Sequence, residues 1–196
     1  MGGGQDIIMN IKDVKTGFKI ADVVLDKRHR QNHIKINFLP EIIDEKGRIS
    51  EKSILKSNTG RVYIITVDGI IKKIGGSQSK GGIKATLSFY QSAMQGGPSL
   101  RSYGVHLLIK ESLGKGSRVE IYMIISQGVK APVKGLFSEE KMKVSAFKEM
   151  ENKCKKDYKS VEGNLPEWNF QERGVPWPKK IHQSYVRFLT ARVKRR

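Results

Sequence analysis

Arg61-Val62-Tyr63-Ile64-Ile65-Thr66-Val67-Asp68-Gly69-Ile70-Ile71-Lys72-Lys73-Ile74-Gly75 holds two runs rich in β-branched residues, Val62–Val67 and Ile70–Ile74, on either side of Asp68-Gly69. That pattern predicts a β-hairpin. Loop length decides which side chains share a face. A two-residue turn pairs Val67 with Ile70 and puts Tyr63 and Lys73 on opposite faces. A three-residue loop, Val67-Asp68-Gly69, puts Gly69 at the left-handed position of a bulge. Thr66 then pairs with Ile70, and Tyr63 stands directly opposite Lys73. The second register sorts the faces better. Val62, Ile64, Ile70 and Ile74 line one side, and Tyr63, Lys73, Ile65 and Ile71 the other.

At 196 residues with 38% hydrophobic content, the chain suits one domain with appended arms. No apolar run approaches the roughly 18 residues of a membrane-spanning helix. Met1-Gly2-Gly3-Gly4-Gln5-Asp6 has no apolar signal core, and Asp6 stands where myristoylation needs Ser or Thr. The single cysteine, Cys154, excludes an internal disulfide and a cysteine metal cluster. A cytoplasmic setting is the expectation. The net charge of +18, from 37 basic and 19 acidic residues, predicts a polyanionic partner bound in a salt-sensitive way. Nucleic acid fits better than a membrane surface, because neither end carries a basic amphipathic helix with an aromatic face. Ribosomal and chromatin proteins share such a charge, so charge alone does not make an enzyme.

Residues 6–20 alternate weakly and suggest short strands or an irregular arm. Lys27, Arg28 and Arg30 form a basic cluster suited to phosphate. His33–Phe38 alternates at period two and reads as a strand, and a short helix is expected around Ser50–Lys56. After the hairpin, Gly76–Gly82 lacks the spacing of a nucleotide-binding loop. Ile83, Leu87, Tyr90 and Met94 recur at helical spacing, and Ser99 can cap a second helix running to about Leu113. Val119–Ile125 alternates as a third strand, followed by a loop over Gly128–Gly135. A long helix is expected from Ser138 to about Val161, with Glu151 inside its apolar stripe of Phe147, Met150, Cys154 and Tyr158. A carboxylate there calls for a cation. The last stretch, Lys179–Arg196, holds seven basic residues and no acid. The expected architecture is α+β: a small three-stranded antiparallel sheet flanked by helices, with a DNA-contacting arm (1–60), a core (61–166) and a basic C-terminal arm (167–196).

Val62-Tyr63-Ile64, then eight residues, then Lys73-Ile74-Gly75, resembles the signature hairpin of the GIY-YIG nucleases. Lys-Ile-Gly replaces the usual Tyr-Ile-Gly, as in a subset of small restriction endonucleases of that family. Glu151, Tyr158 and Gly163-Asn164-Leu165-Pro166 are similar to the family's late helix, whose glutamate binds one divalent metal. The resemblance spans about Arg61–Pro166. It implies a Mg²⁺-dependent endodeoxyribonuclease, with Mn²⁺ able to substitute, acting on double-stranded DNA as a homodimer. It also implies an arginine four residues before Tyr90, but Thr86 stands there. Arg101 or Lys84 is left to supply that cation, and the guanidinium suits phosphate better. His106 then supports the site or touches DNA.

The chemistry implied by the resemblance has Glu151 hold the metal and Arg101 and Tyr90 bind the scissile phosphate. Tyr63, its pKa lowered from about 10 by Lys73 and the metal, accepts the proton of the attacking water. A non-catalytic nucleic-acid-binding protein is the competing reading. It explains the charge and leaves Glu151 without a purpose. An RNA nuclease differs only in substrate.

Overall fold

The computed structural model describes residues 9–26, 33–44, 46–50, 52–56, 59–125 and 128–193. In chain order the strands and helices are β1 (Phe18–Asp26), β2 (His33–Phe38), β3 (Ile42–Ile43), β4 (Ile49–Ser50), β5 (Arg61–Val67), β6 (Ile70–Ser77), α1 (Gly82–Gln91), α2 (Leu100–Gly114), β7 (Val119–Ile125), β8 (Val129–Lys134), β9 (Glu139–Val144), α3 (Phe147–Glu162) and α4 (Lys179–Val193). Short 3₁₀ turns cover Ile11–Asp13 and Lys52–Leu55. No described helix is long and apolar enough to cross a membrane.

β5 and β6 pair as the sequence predicts, through a tighter turn. Asp68 and Gly69 form a two-residue turn with φ of 51° and 84°, and Val67 pairs with Ile70. Positive φ at both positions is what the favoured hairpin turn demands. Asp68 accepts it because its carboxylate takes the Arg118 N–H at 2.8 Å while its own N–H donates to the Arg118 carbonyl at 2.9 Å. The extra residue expected in the loop lies instead at Lys72, where the register shifts between Ile65↔Lys73 and Thr66↔Ile71. This bulge corrects two expectations. Tyr63 faces Gly75 rather than Lys73, which pairs with Ile65. Ile71 joins Val62, Ile64 and Ile74 on the opposite face. Tyr63 and Lys73 keep a common face, on the diagonal.

The sheet is five-stranded, in the order β2-β1-β7-β5-β6, with antiparallel pairs throughout. The expected three-stranded sheet is therefore wrong: β1 and β2 extend it beyond β7. β1 falls in the weakly alternating stretch read as short strands or an irregular arm; its register slips between Lys19 and Ala21, leaving Ile20 and Ala21 both buried and weakening the alternation. β2 matches the predicted strand. Helices cover both faces. α1 and α2 close a core containing Tyr63, Ile65, Leu87, Tyr90, Val105 and Ile109. α3 closes a smaller one containing Val62, Ile64, Ile71, Ile74 and Tyr158.

Two further elements differ from expectation. The predicted long helix begins only at Phe147, because Val129–Val144 forms the separate β8–β9 ribbon. The basic C-terminal stretch is helical as α4, which docks on α2. The Tyr103 hydroxyl meets Ser184 Oγ at 2.8 Å, and Tyr185 donates to the Pro98 carbonyl at 2.9 Å.

β6 is an edge strand, and the chain after α3 covers it. Trp168 N–H donates to the Lys72 carbonyl at 2.8 Å. The buried Asn169 side chain accepts from Ile74 N–H at 3.0 Å and donates to its carbonyl at 2.8 Å, imitating one more pairing residue. Trp168 and Phe170 are buried in the core, and Trp177 stacks on Phe170 with ring centroids 4.5 Å apart. Asn169→Ala leaves both Ile74 groups unpaired, so unfolding stability is expected to fall by about 2 kcal/mol. An unchanged urea midpoint contradicts this role.

Candidate active site

Lys73-Ile74-Gly75-Gly76 runs along the sheet edge and organises what gathers there. A Cβ at Gly75 would collide with the Tyr63 phenol, and one at Gly76 with the Glu151 carboxylate. Gly75 pairs with Tyr63 and Gly76 with Val62, so the two contacts lie on opposite faces of one strand. The phenol arrives from the α1–α2 side, and the carboxylate arrives from α3.

The Tyr63 and Tyr90 hydroxyls are 2.6 Å apart, with rings edge to face at 6.1 Å. Arg101, in the first turn of α2, bonds Gln171 Oε1 through both Nε, at 2.9 Å, and Nη2. It lies close enough to favour the ionised forms of both phenols and to oppose the charge on Lys73. Glu151 accepts a 2.5 Å ion pair from Lys155, which also reaches Glu172 at 3.4 Å. Tyr63 and Tyr90 thus touch, Arg101 and Glu151 lie within electrostatic reach of both phenols, and Lys73 lies within reach of Arg101 and Glu151 around the β6 edge.

Burial sets their proton affinities. It pushes the Tyr63 phenol well above 10, with Tyr90 adding to the rise, and pushes Tyr90 up to about 12. Lys73 and a bound metal together are expected to acidify Tyr63; the protein's own groups act the other way, since desolvation outweighs the Arg101 guanidinium and raises the phenol. Lys73 is 3% exposed, and desolvation brings its ammonium down to about 8 against the pull of Glu172. Burial works to raise Glu172, but its backbone hydrogen bond and the Lys73 and Lys155 charges hold it below the usual carboxylate range.

The remaining predicted residues sit elsewhere. Lys84 places its ammonium 5.1 Å from the Phe38 ring centroid. His106 is fully buried, so it does not touch DNA. Its Nδ1 donates to the Tyr90 carbonyl at 2.8 Å, and burial lowers its pKa. It supports Tyr90 from behind. Lys27, Arg28 and Arg30 lie outside the described residues. Sequence reasoning missed Lys155, Gln171 and Glu172. Lys155 was within reach as the residue four after Glu151 on one helix. Glu172 and Gln171 carry no pattern, since only the fold of the chain after α3 brings them in.

Of the predicted residues, Glu151 alone offers a carboxylate to a hard divalent cation. No cluster of three or more metal-ligating side chains exists among the described residues. Mg²⁺ is commonly held by one or two carboxylates with water completing its shell. Glu151 already attracts a cation, the Lys155 ammonium, to one carboxylate oxygen.

A lysine with folded pKa of about 8 against 10.5 when exposed weakens folding wherever it must be charged. The penalty is complete below pH 8 and is relieved as pH rises from 8 to 10.5. Lys73→Met is therefore expected to raise stability at neutral pH by about 3 kcal/mol. Urea melts across that pH window check it. A neutral or destabilising substitution contradicts the burial cost.

No family model matches the chain, and no curated protein does. Among solved structures, a mutant of bacteriophage T4 EndoII aligns with a TM-score of 0.53 at 18% identity, over 82% of this chain and 98% of that one. The restriction endonuclease HPY188I in complex with product DNA aligns with a TM-score of 0.42 at 18% identity, over 85% of this chain and 95% of that one. The fold assembled around the β5–β6 hairpin is shared with bacteriophage T4 EndoII.

Proposed function

We propose that the chain is a metal-dependent endodeoxyribonuclease of the GIY-YIG type, in the Lys-Ile-Gly variant, cutting double-stranded DNA at specific sequences as a homodimer. The observation behind this reading is convergence. Tyr63, Lys73, Tyr90, Arg101 and Glu151 come from β5, β6, α1, α2 and α3 into electrostatic reach of one another, around two glycines whose missing side chains make room for the Tyr63 phenol and the Glu151 carboxylate. A basic protein that only binds DNA has no use for that arrangement. The fold shared with EndoII and the net charge of +18 support the same reading.

Glu151 would hold Mg²⁺, or Mn²⁺ in its place, and the ion would supply Lewis-acid stabilisation of the charge that develops during hydrolysis. Arg101 grips a phosphate oxygen pair, its guanidinium pre-set by Gln171. The hydrogen-bonded phenols of Tyr63 and Tyr90 position the attacking water beside that phosphate. Burial favours the protonated Tyr63 phenol, so this reading takes Lys73, whose pKa of about 8 lies nearest the working range, as the proton acceptor. Its neutral amine takes the proton from water as the new phosphorus–oxygen bond forms and the bond to the leaving oxygen breaks, and that oxygen leaves with the electron pair and takes a proton from solvent.

The test is cleavage of mixed-sequence plasmid DNA at low salt, in Mg²⁺ or EDTA, by wild type and Glu151→Gln. Discrete fragments from wild type with Mg²⁺ are expected, and intact DNA with EDTA or the variant. Retarded but uncut DNA in every lane favours the binding protein instead. The cleavage rate is further expected to rise with pH and level off near 8, as Lys73 loses its proton. A rate that falls as pH approaches 8 contradicts Lys73 as the acceptor.

A further inference from the structure

The β8–β9 ribbon has no role in the chemistry above, and its side chains are sorted. The register Val129↔Val144 and Ala131↔Met142 puts apolar side chains on one face, ending where Val133 pairs with Glu140. Lys130, Pro132 with Lys141, and Lys134 with Glu139 occupy the other. Lys130, Lys134 and Lys141 are exposed. At the tip, Gly135-Leu136-Phe137-Ser138 leaves Leu136 93% and Phe137 99% exposed. Two large apolar side chains held in water contribute nothing to this fold, so their role lies in a contact with a partner.

We infer that the ribbon is a DNA probe that enters the minor groove. Lys130 and Lys141 lie against phosphates, and Leu136 and Phe137 wedge between base pairs. The inference rests on the nuclease reading and adds a contact which that reading does not contain. Three observations favour it over a second copy of the chain. Lysines on one face match a phosphate backbone. Groove-binding proteins kink DNA with one or two apolar wedges, which is what the tip presents in Leu136 and Phe137. The ribbon is also spliced between β7, which pairs with β5, and α3, which carries Glu151. A grip on the groove is thus tied at both ends to the site.

The full-length chain tests this with duplexes containing a site mapped by plasmid cleavage. 2-Aminopurine, which brightens on unstacking, replaces adenines around the site, and EDTA prevents cutting. Wild type is expected to brighten the probe at a defined base step. The double variant Leu136→Ser, Phe137→Ser should abolish the signal and weaken binding roughly tenfold or more, with an unchanged Tm because both positions are solvent-facing. The double variant Lys130→Gln, Lys141→Gln should keep the signal while the slope of log affinity against log salt falls by about 2. Unchanged brightening and affinity in the serine variant, with wild-type cleavage intact, overturn the ribbon's role and leave the nuclease reading standing. A serine variant that loses only self-association assigns the tip to a second copy and overturns the inference too. Wild type that neither cuts nor binds DNA removes the nuclease reading and, with it, this one.

Discussion

Close approach to strand β6 from both faces depends on Gly75 and Gly76. Any larger residue at the first would displace the Tyr63 phenol, and at the second the Glu151 carboxylate. Most sheets keep their two faces chemically separate, because alternating side chains stand between them. Here the edge position of β6 and its two bare residues let groups from α1, α2 and β5 share an electrostatic environment with a carboxylate from α3. The bulge at Lys72 completes the arrangement by setting Lys73 on the phenol face and Ile71 in the smaller core.

An edge strand that must stay open to a site also exposes its backbone. The chain resolves this by covering the strand with its own later segment, through the Asn169 amide and the Trp168 N–H. The same segment brings Gln171 to Arg101 and Glu172 to the Lys73 and Lys155 charges. Protection of the edge and electrostatic tuning of the site thus come from one stretch. Lys73 carries the conflict between stability and chemistry, since burial that opposes its charge also brings its pKa near the working range.

Much of the site was legible in the sequence, and the fold was legible in part. Asp68-Gly69 between β-branched runs announced the hairpin, and Glu151 on an apolar stripe announced a carboxylate needing a cation. α1 and α2 followed from their periodicity and from Ser99. The loop register was misjudged because Asp68 takes a left-handed conformation that Arg118, fifty residues on, stabilises. β1 was legible only as short strands or an irregular arm, because a bulge buries two consecutive residues and weakens the alternation. β8 and β9 escaped because a solvent-facing ribbon rich in Lys and Glu reads as helix or loop when nothing local requires a strand. The upward pull of burial on Tyr63 was not legible, because sequence shows neighbouring charges but not depth.

The substitution Gly76→Ala tests the central claim most directly. Gly76 has no left-handed backbone to lose, and the obstacle to a methyl group there is the Glu151 side chain. Mn²⁺ affinity, plasmid cleavage and thermal unfolding are measured together on the variant and wild type. The account predicts lost cleavage and weakened Mn²⁺ binding with a modest fall in Tm, because the methyl group would displace the Glu151 carboxylate and press on its Cβ, 3.1 Å away. A Gly76→Ala protein that binds Mn²⁺ and cuts DNA as well as wild type contradicts a site assembled across the β6 edge.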